Sequence, residues 1–569
     1  MKTATRKLCC LGTLLAAATV VAITSALPGC NGRPATVEPA ADGTVSEFGC
    51  SEKLDSALEM LRPERLGIST DAEAAELRLN TWLKDCGQEV EVAGPLGPEI
   101  EQLLQPILSQ TQMKRLTAGR FVAGDAEHIR NCQLHKAMAN LDLGAQESEL
   151  EHAVALFHFC IRNIALHASA DERLPLTSYE ILLFGRGDPQ DIAWVYADVL
   201  RQLQIDAVII RPATATANST AEDSTAEESA VGNNTADDLW LIGVLLNEEV
   251  YLFDPRLGTP IPAATDTGLT ATVQQPATLS DVLNDDSLLR KLDLADGQPY
   301  PFTAKMLQQV TVEVVGTRSL WTSSMQRLDT SLTGDWSSLV FDGLQDGTKS
   351  PGLVSRVAEY GGENWGKDDI GIWPYPEQQP AAVQHRSEVQ RKRFSNLELS
   401  LDAPVPVELD LAAQQIHTGT PEKRCLKARI SHLLGDYDTA VPNYQKLRIR
   451  LIGASRLPLP AEIRTIHERA EDDAAYWIGL CQFDKGNFVS AISTFRDYLR
   501  RYAQQPNAAW TVHCRFMLAL SLAEDTADWS EAIFELQDEL EDEDTPEPLA
   551  ARRRFCIKRW KAAQEMAKK

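Results

Sequence analysis

Residues 185–210 read GRGDPQDIAWVYADVLRQLQIDAVII: a glycine turn, then a helix, then an apolar strand. Enzymes often set a nucleophile where such a turn enters a helix, because the positive end of the helix dipole stabilises a thiolate. Here the turn carries Asp188, Pro189 and Gln190, none of them a nucleophile of that kind. Proline at the first helical position has no N–H to leave unpaired, and its φ is already helical. Asp188 suits the N-cap, and Asp191 three residues on faces free backbone N–H groups. The turn is built to start a helix.

Working outward, the pattern over 148–166 predicts a helix whose apolar face is Ala153, Phe157, Cys160, Ile161 and Ile164. Residues 207–210 form a strand. An Ala/Thr/Ser/Glu/Asn tract follows at 212–237, nearly free of large apolar side chains, and such a composition does not offset the entropy of ordering it. It reads as a disordered insertion. Beyond it, 239–246 and 250–253 form a hairpin turned at Asn247-Glu248-Glu249, so both flanks of the insertion belong to one sheet.

This order of elements, closing on Tyr251-Leu252-Phe253-Asp254-Pro255, resembles the transglutaminase-like superfamily, a papain-related fold. Matching positions are Phe157 and Ile164, then Gly187, Asp191, Ala193, Leu200, Arg201, Ile205 and Ala207, then Trp240. The likeness covers about 150–262, less the insertion. It implies a cysteine at the helix start, a histidine on the next strand and an aspartate on the one after. Those positions hold Pro189, Asp238 and Asp254, so only the aspartate survives. The likeness therefore implies the fold without the catalytic set, and Asp254-Pro255 by itself reads as a turn former.

Other candidates for chemistry are few. Cys160 sits on the apolar helix face with His158 on a different side, and reads as a buried structural thiol. His128, Cys132 and His135 fall at i, i+4 and i+7 on one helical face, a spacing metals accept, but no fourth ligand is visible. Gly185 and Gly187 lack a third glycine and a preceding strand, which removes nucleotide binding. No cofactor is expected.

The N-terminus carries Lys2, Arg6 and Lys7 before an apolar stretch over 8–27, and reads as a secretory leader. It ends Leu27-Pro28-Gly29-Cys30, which resembles a bacterial lipobox and implies lipidation of Cys30; Asn31 is compatible with export to an outer membrane. Eleven cysteines include no CxxC pair, so zinc-ribbon and thioredoxin-like readings fail. Cys50 and Cys86 flank one helical segment and are placed to pair. A net charge of −26 repels phosphate backbones and argues against nucleic-acid binding.

The C-terminal third is helical with a weak repeat. Gly435, Tyr437, Ala440, Tyr444 recur as Gly486, Phe488, Ala491, Phe495 and as Ala527, Trp529, Ala532, Leu536. This resembles the tetratricopeptide repeat. The alanines lie 51 and 41 residues apart, against a family period of 34, so extra segments are expected to intervene, including 452–464.

The chain thus divides into a leader (1–30), a tether (31–46) and a helical region (47–145). A transglutaminase-like domain (146–262, insertion 212–237), a mixed α/β region (263–398) and a repeat-like helical region (399–569) follow. Within the mixed region, 309–315 and 338–341 read as strands, and 318–328 and 352–360 as helices. The loop with Trp365, Trp373 and Tyr375 reads as packing rather than as a binding surface. The fold class is α+β, predominantly helical. The expected function is a non-catalytic binding or scaffold lipoprotein of the cell envelope, held to the bilayer by Cys30 and meeting another envelope protein through its helical C-terminus. The alternatives are a thiol hydrolase or acyltransferase with a rearranged site, and metal chemistry at the His128 face.

Overall fold

Leu241–Leu246 is buried at every position, as a strand covered on both faces requires. Among the described residues it lies inside a six-stranded sheet. The strand order is Thr259–Pro260, Glu249–Asp254, Leu241–Leu246, Asp206–Pro212, Val310–Val314, Ile370–Ile372. All neighbours are antiparallel except the last pair, which is parallel. This is a computed structural model. It describes residues 47–65, 72–87, 96–144, 146–167, 173–213, 239–294, 298–347, 350–402, 406–410, 415–418, 424–454, 459–505, 508–525, 529–537 and 547–568. The leader, Cys30, the tether, Asp238 and nearly all of the 212–237 insertion lie outside the described residues.

Both flanks of the insertion do pair in one sheet, with Val208 opposite Gly243. The hairpin turn is one residue shorter than expected: Asn247 and Glu248 alone turn it, at φ 53° and 64°, and Glu249 already pairs with Leu246. Two positive φ values in a two-residue loop match the right-handed twist of the strands. The sheet also reaches past residue 262, since Val310–Val314 lies beside Asp206–Pro212 with Val314 opposite Val208.

The helix Pro189–Arg201 packs on this sheet and against Glu149–Asn163. Tyr196 donates to the Ala153 carbonyl at 2.9 Å. Phe157, Tyr196 and Phe253 meet with ring centroids 5.0–5.7 Å apart. A short parallel pairing of Ala165–Leu166 with Arg186–Gly187 clamps the turn to the end of the Glu149–Asn163 helix.

Two expectations for the mixed region change. Residues 338–341 are not a strand. Their backbone is satisfied by side chains instead: Leu339 exchanges bonds with the Gln202 amide (both 2.9 Å), the Val340 N–H donates to Asp329 and the Val340 carbonyl meets His128. The expected 318–328 helix is broken, with Thr322 ending one 3-10 turn and capping Ser323–Asp329. Trp365 and Trp373 are buried, as packing residues are.

Near the N-terminus, Glu47–Leu58 and Ala72–Cys86 are joined by the Cys50–Cys86 disulfide. They share an apolar cluster with Ile129, Met325, Leu328 and Val340.

Among the described residues, the last third forms three helical hairpins and a final helix. Arg424–Leu433 pairs with Tyr437–Ala454, Ala461–Asp484 with Phe488–Tyr502, and Thr511–Asp525 with Ser530–Gln537; Glu547–Ala567 closes the array. Gly435 and Gly486 leave the first helices of two hairpins at φ 77° and 75°, a conformation that costs glycine no steric strain. The irregular period arises differently from expected. The extra residues mainly lengthen the helices, to 18 in Tyr437–Ala454 and 24 in Ala461–Asp484. The region is also not helical throughout, because Pro406–Asp410 and Gln415–Thr418 pair as antiparallel strands ahead of the array. One apolar core runs from the sheet into the hairpins. Among the described residues no helix is long and apolar enough to cross a membrane.

Candidate functional site

The helix start at Asp188 is fully occupied by its own side chains. The Asp188 carboxylate accepts the N–H of Gln190 at 2.9 Å and of Asp191 at 3.0 Å, and the Asp191 carboxylate accepts the N–H of Asp188 at 2.9 Å. This reciprocal box, with Pro189 at N1, uses the donors that would otherwise stabilise an anion. The mixed region then covers the turn. Tyr375 donates to Asp191 at 2.7 Å, its ring stacks on Trp373 at 5.1 Å, and Arg173 pairs with Asp188 at 3.0 Å. Burial, reinforced by the neighbouring Asp188, pushes the Asp191 carboxyl up. What stands here is a capped, covered carboxylate pair. Replacing Asp188 by Ala is expected to cost about 1 kcal/mol of stability. A change in the thermal midpoint too small to resolve would show that the cap is idle.

Asp254 is likewise consumed. It accepts from the N–H of Arg256 (2.8 Å), the N–H of Leu257 (3.2 Å) and the Tyr300 hydroxyl (2.8 Å), and pairs with the Arg256 guanidinium at 3.3 Å. It shapes the turn after its strand. Cys132, Cys160, Cys425, Cys481, Cys514 and Cys556 are all buried. Burial pushes the Cys160 thiol up to about 12, far from a thiolate at neutral pH. His158 does not face it: its Nε2 lies 2.8 Å from the Val273 carbonyl.

His128, Cys132 and His135 do share one helix face, and they line a cavity of about 80 Å³ with Trp194 and Asp198. His128 Nε2 is held by the Val340 carbonyl at 3.0 Å, with Cys132 Sγ 3.5 Å away. Burial lowers His135 to about 4 and raises the Cys132 thiol. Among the described residues no group of three or more His, Cys, Asp or Glu is arranged to hold a metal ion.

The sequence reading missed a buried polar cluster that docks the array on the core. Arg429 Nε donates to the Leu182 carbonyl (3.0 Å) and its Nη1 to Asn163 Oδ1 (3.0 Å). Asp484 accepts from Arg162 (3.0 Å), Asn163 (3.0 Å) and His432 Nε2 (3.0 Å). Burial works to raise the Asp484 carboxyl, but Arg162 and His432 outweigh it and hold it low. Burial also lowers His432, so the ring is neutral, with its Nε2–H given to Asp484 and its Nδ1 accepting from Arg429. The only trace in the sequence is charged residues set in apolar helical patterns.

Within the array, Ala440, Ala491 and Ala532 are fully buried, where small side chains let paired helices approach. Tyr476 stacks on Trp510 at 4.5 Å, and Trp510 Nε1 donates to Asp473 at 2.7 Å, tying the second hairpin to the third. The outer surface is less closed. Ile449, Val489 and Phe534, one on the second helix of each hairpin, are 72%, 65% and 63% exposed. Residues 473–504, from within Ala461–Asp484 through Phe488–Tyr502, match the tetratricopeptide repeat family. No curated protein and no solved structure matches the chain.

Proposed function

We propose that this protein is a non-catalytic scaffold that binds another protein through its C-terminal hairpin array, on a core that is a degenerate transglutaminase-like domain. The observation that carries this reading is the stack of three hairpins, matched in part to the tetratricopeptide repeat, with a large apolar residue exposed on each second helix. Stacked repeats leave an extended surface that suits binding. Tethering is part of the reading: Cys30 is lipidated and holds the chain to a membrane of the cell envelope, and the partner is another envelope protein.

Two features support a core without turnover. The helix start at Pro189 is capped and covered, and the described cysteines outside the disulfide are buried, with burial raising the Cys160 thiol to about 12. The protein is expected to show no thiol-dependent amine incorporation or amidase activity; turnover abolished by Cys160→Ser with the fold intact would overturn this.

The binding test uses the full chain in its membrane. Wild type is expected to co-purify with a defined partner set, and the triple change Ile449→Asp, Val489→Asp, Phe534→Asp to lose it with unchanged melting. An unchanged partner set in the triple variant would remove the array as the binding surface. Cys30→Ser is expected to leave the membrane fraction. Mature wild type recovered entirely soluble, with an unmodified N-terminus, would remove the anchor.

A further inference from the structure

The described cysteines are sorted by exposure. Cys50 and Cys86 are half-buried, and they are the two that are joined. Cys132, Cys160, Cys425, Cys481, Cys514 and Cys556 are buried and free. Burial pushes the thiols of Cys132, Cys160, Cys425, Cys481 and Cys556 up. Cys514 Sγ donates to the Phe495 carbonyl at 3.7 Å. The thiolate is the species that exchanges, so thiols held in this way are inert. Among the described residues, every cysteine that a soluble oxidant can reach is therefore already paired. In a reducing compartment such a bond rarely persists, and in an oxidising one an open thiol is a liability.

Helix packing sets the pair in place. Contacts step in opposite directions along Glu47–Leu58 and Ala72–Cys86, so the two helices are antiparallel. Cys50 meets Cys86, Lys53 meets Asp85 at 2.6 Å, and Arg78 donates to the Ser56 carbonyl at 3.1 Å. Leu54, Ala57 and Leu58 share an apolar cluster with Leu79, Trp82 and Leu83. This packing leaves the Cα atoms of the two cysteines 5.6 Å apart, inside the usual span of a disulfide. The first turn of Glu47–Leu58 is thus fixed to the end of Ala72–Cys86, directly after the tether.

We propose that Cys50 and Cys86 are a modification site, oxidised after export by a protein that carries an exchangeable disulfide, and that the bond pins the helix at which the tether enters the body. The proposal rests on the envelope reading above, though not on lipid attachment. The step balances as two exchanges. One cysteine thiolate attacks the oxidant's disulfide, forms a mixed disulfide and releases the oxidant's other sulfur as a thiolate. The second thiolate of this chain then attacks its neighbour's sulfur, and the oxidant leaves as a dithiol. Two electrons pass to the oxidant, and the two protons lost by the cysteines end on its thiols.

The test reads the full chain from its own cells, alkylated with N-ethylmaleimide in the native state and again, with a heavier form, after denaturation. Cys50 and Cys86 are expected to be linked and unlabelled, and the six buried cysteines to take only the heavier label. Native labelling of Cys50 and Cys86 overturns the proposal, whatever the state of Cys30. An unmodified Cys30 beside an intact pair removes the anchor alone. A second arm reduces the folded chain with dithiothreitol, desalts it and adds oxidised glutathione as the probe. The pair should return with no glutathione held elsewhere; a pair that stays open, or adducts on the buried cysteines, overturns the selectivity on which the site rests. In the double variant Cys50→Ala, Cys86→Ala, amide hydrogen exchange across Glu47–Leu58 should rise by roughly tenfold or more, with the hairpin array unchanged. Unchanged exchange in that helix overturns the pinning.

Discussion

Replacing Asp484 by alanine is expected to lower the unfolding free energy by about 3–5 kcal/mol, the largest single-residue loss we anticipate in this chain. The carboxylate is fully buried and accepts from Arg162, Asn163 and His432. Truncation leaves the Arg162 guanidinium and the His432 imidazole N–H without this acceptor and removes one of the two acceptors of the Asn163 amide, whose Nδ2 still donates to the Phe159 carbonyl. The damage does not stop there. His432 Nδ1 also meets Arg429, whose guanidinium reaches Leu182 and Asn163 in the core, so the docking of the array loosens with it. Asp484→Asn keeps the shape and one acceptor, and should cost less. Denaturant unfolding followed by circular dichroism measures both. A loss below about 1 kcal/mol for the alanine variant would show that helix packing alone holds the array. A double-mutant cycle with Arg162 should return a coupling well above that of a surface ion pair.

The second large effect is a pH dependence carried by His158. Its ring is buried with Nε2 at the Val273 carbonyl, and burial lowers its pKa from 6.5 to about 4. In the unfolded chain the ring takes a proton as the pH falls through 6.5, whereas the folded ring stays neutral until about 4. Protons therefore favour the unfolded state across that window. The stability this residue contributes is complete above 6.5 and is lost as the pH falls, by about 3 kcal/mol in all. Gln at 158 has no such titration, so the advantage of wild type over His158→Gln should shrink by about that amount between pH 7 and pH 4. A constant difference across the range would sink the account. Comparing the pair isolates the residue, because other groups pull both ways. Burial lowers His513 to about 3, with the same sign, while burial and Asp473 raise Asp472 to about 6, with the opposite sign.

What the sequence determined by itself is local. Asp188-Pro189-Gln190-Asp191 is a helix start because cap, proline and N3 acid lie within four residues, and the bonds they make are among themselves. The hairpin after the insertion and the three glycine- or alanine-led helices of the array follow from patterns a few residues long, as does the predominantly helical α+β class. Tertiary structure decided the rest. Residues 338–341 have a strand-like pattern, yet the side chain of Gln202, more than a hundred residues away, takes the place of a neighbouring strand. Val310–Val314 joins the sheet beside Asp206–Pro212 across a comparable gap. Arg162 and Asp484 meet although they lie 322 residues apart. A periodicity reports which face of one element is apolar. It carries no information on which distant group will face it, because that is fixed by the packing of whole elements and by the need of each buried polar atom for a partner.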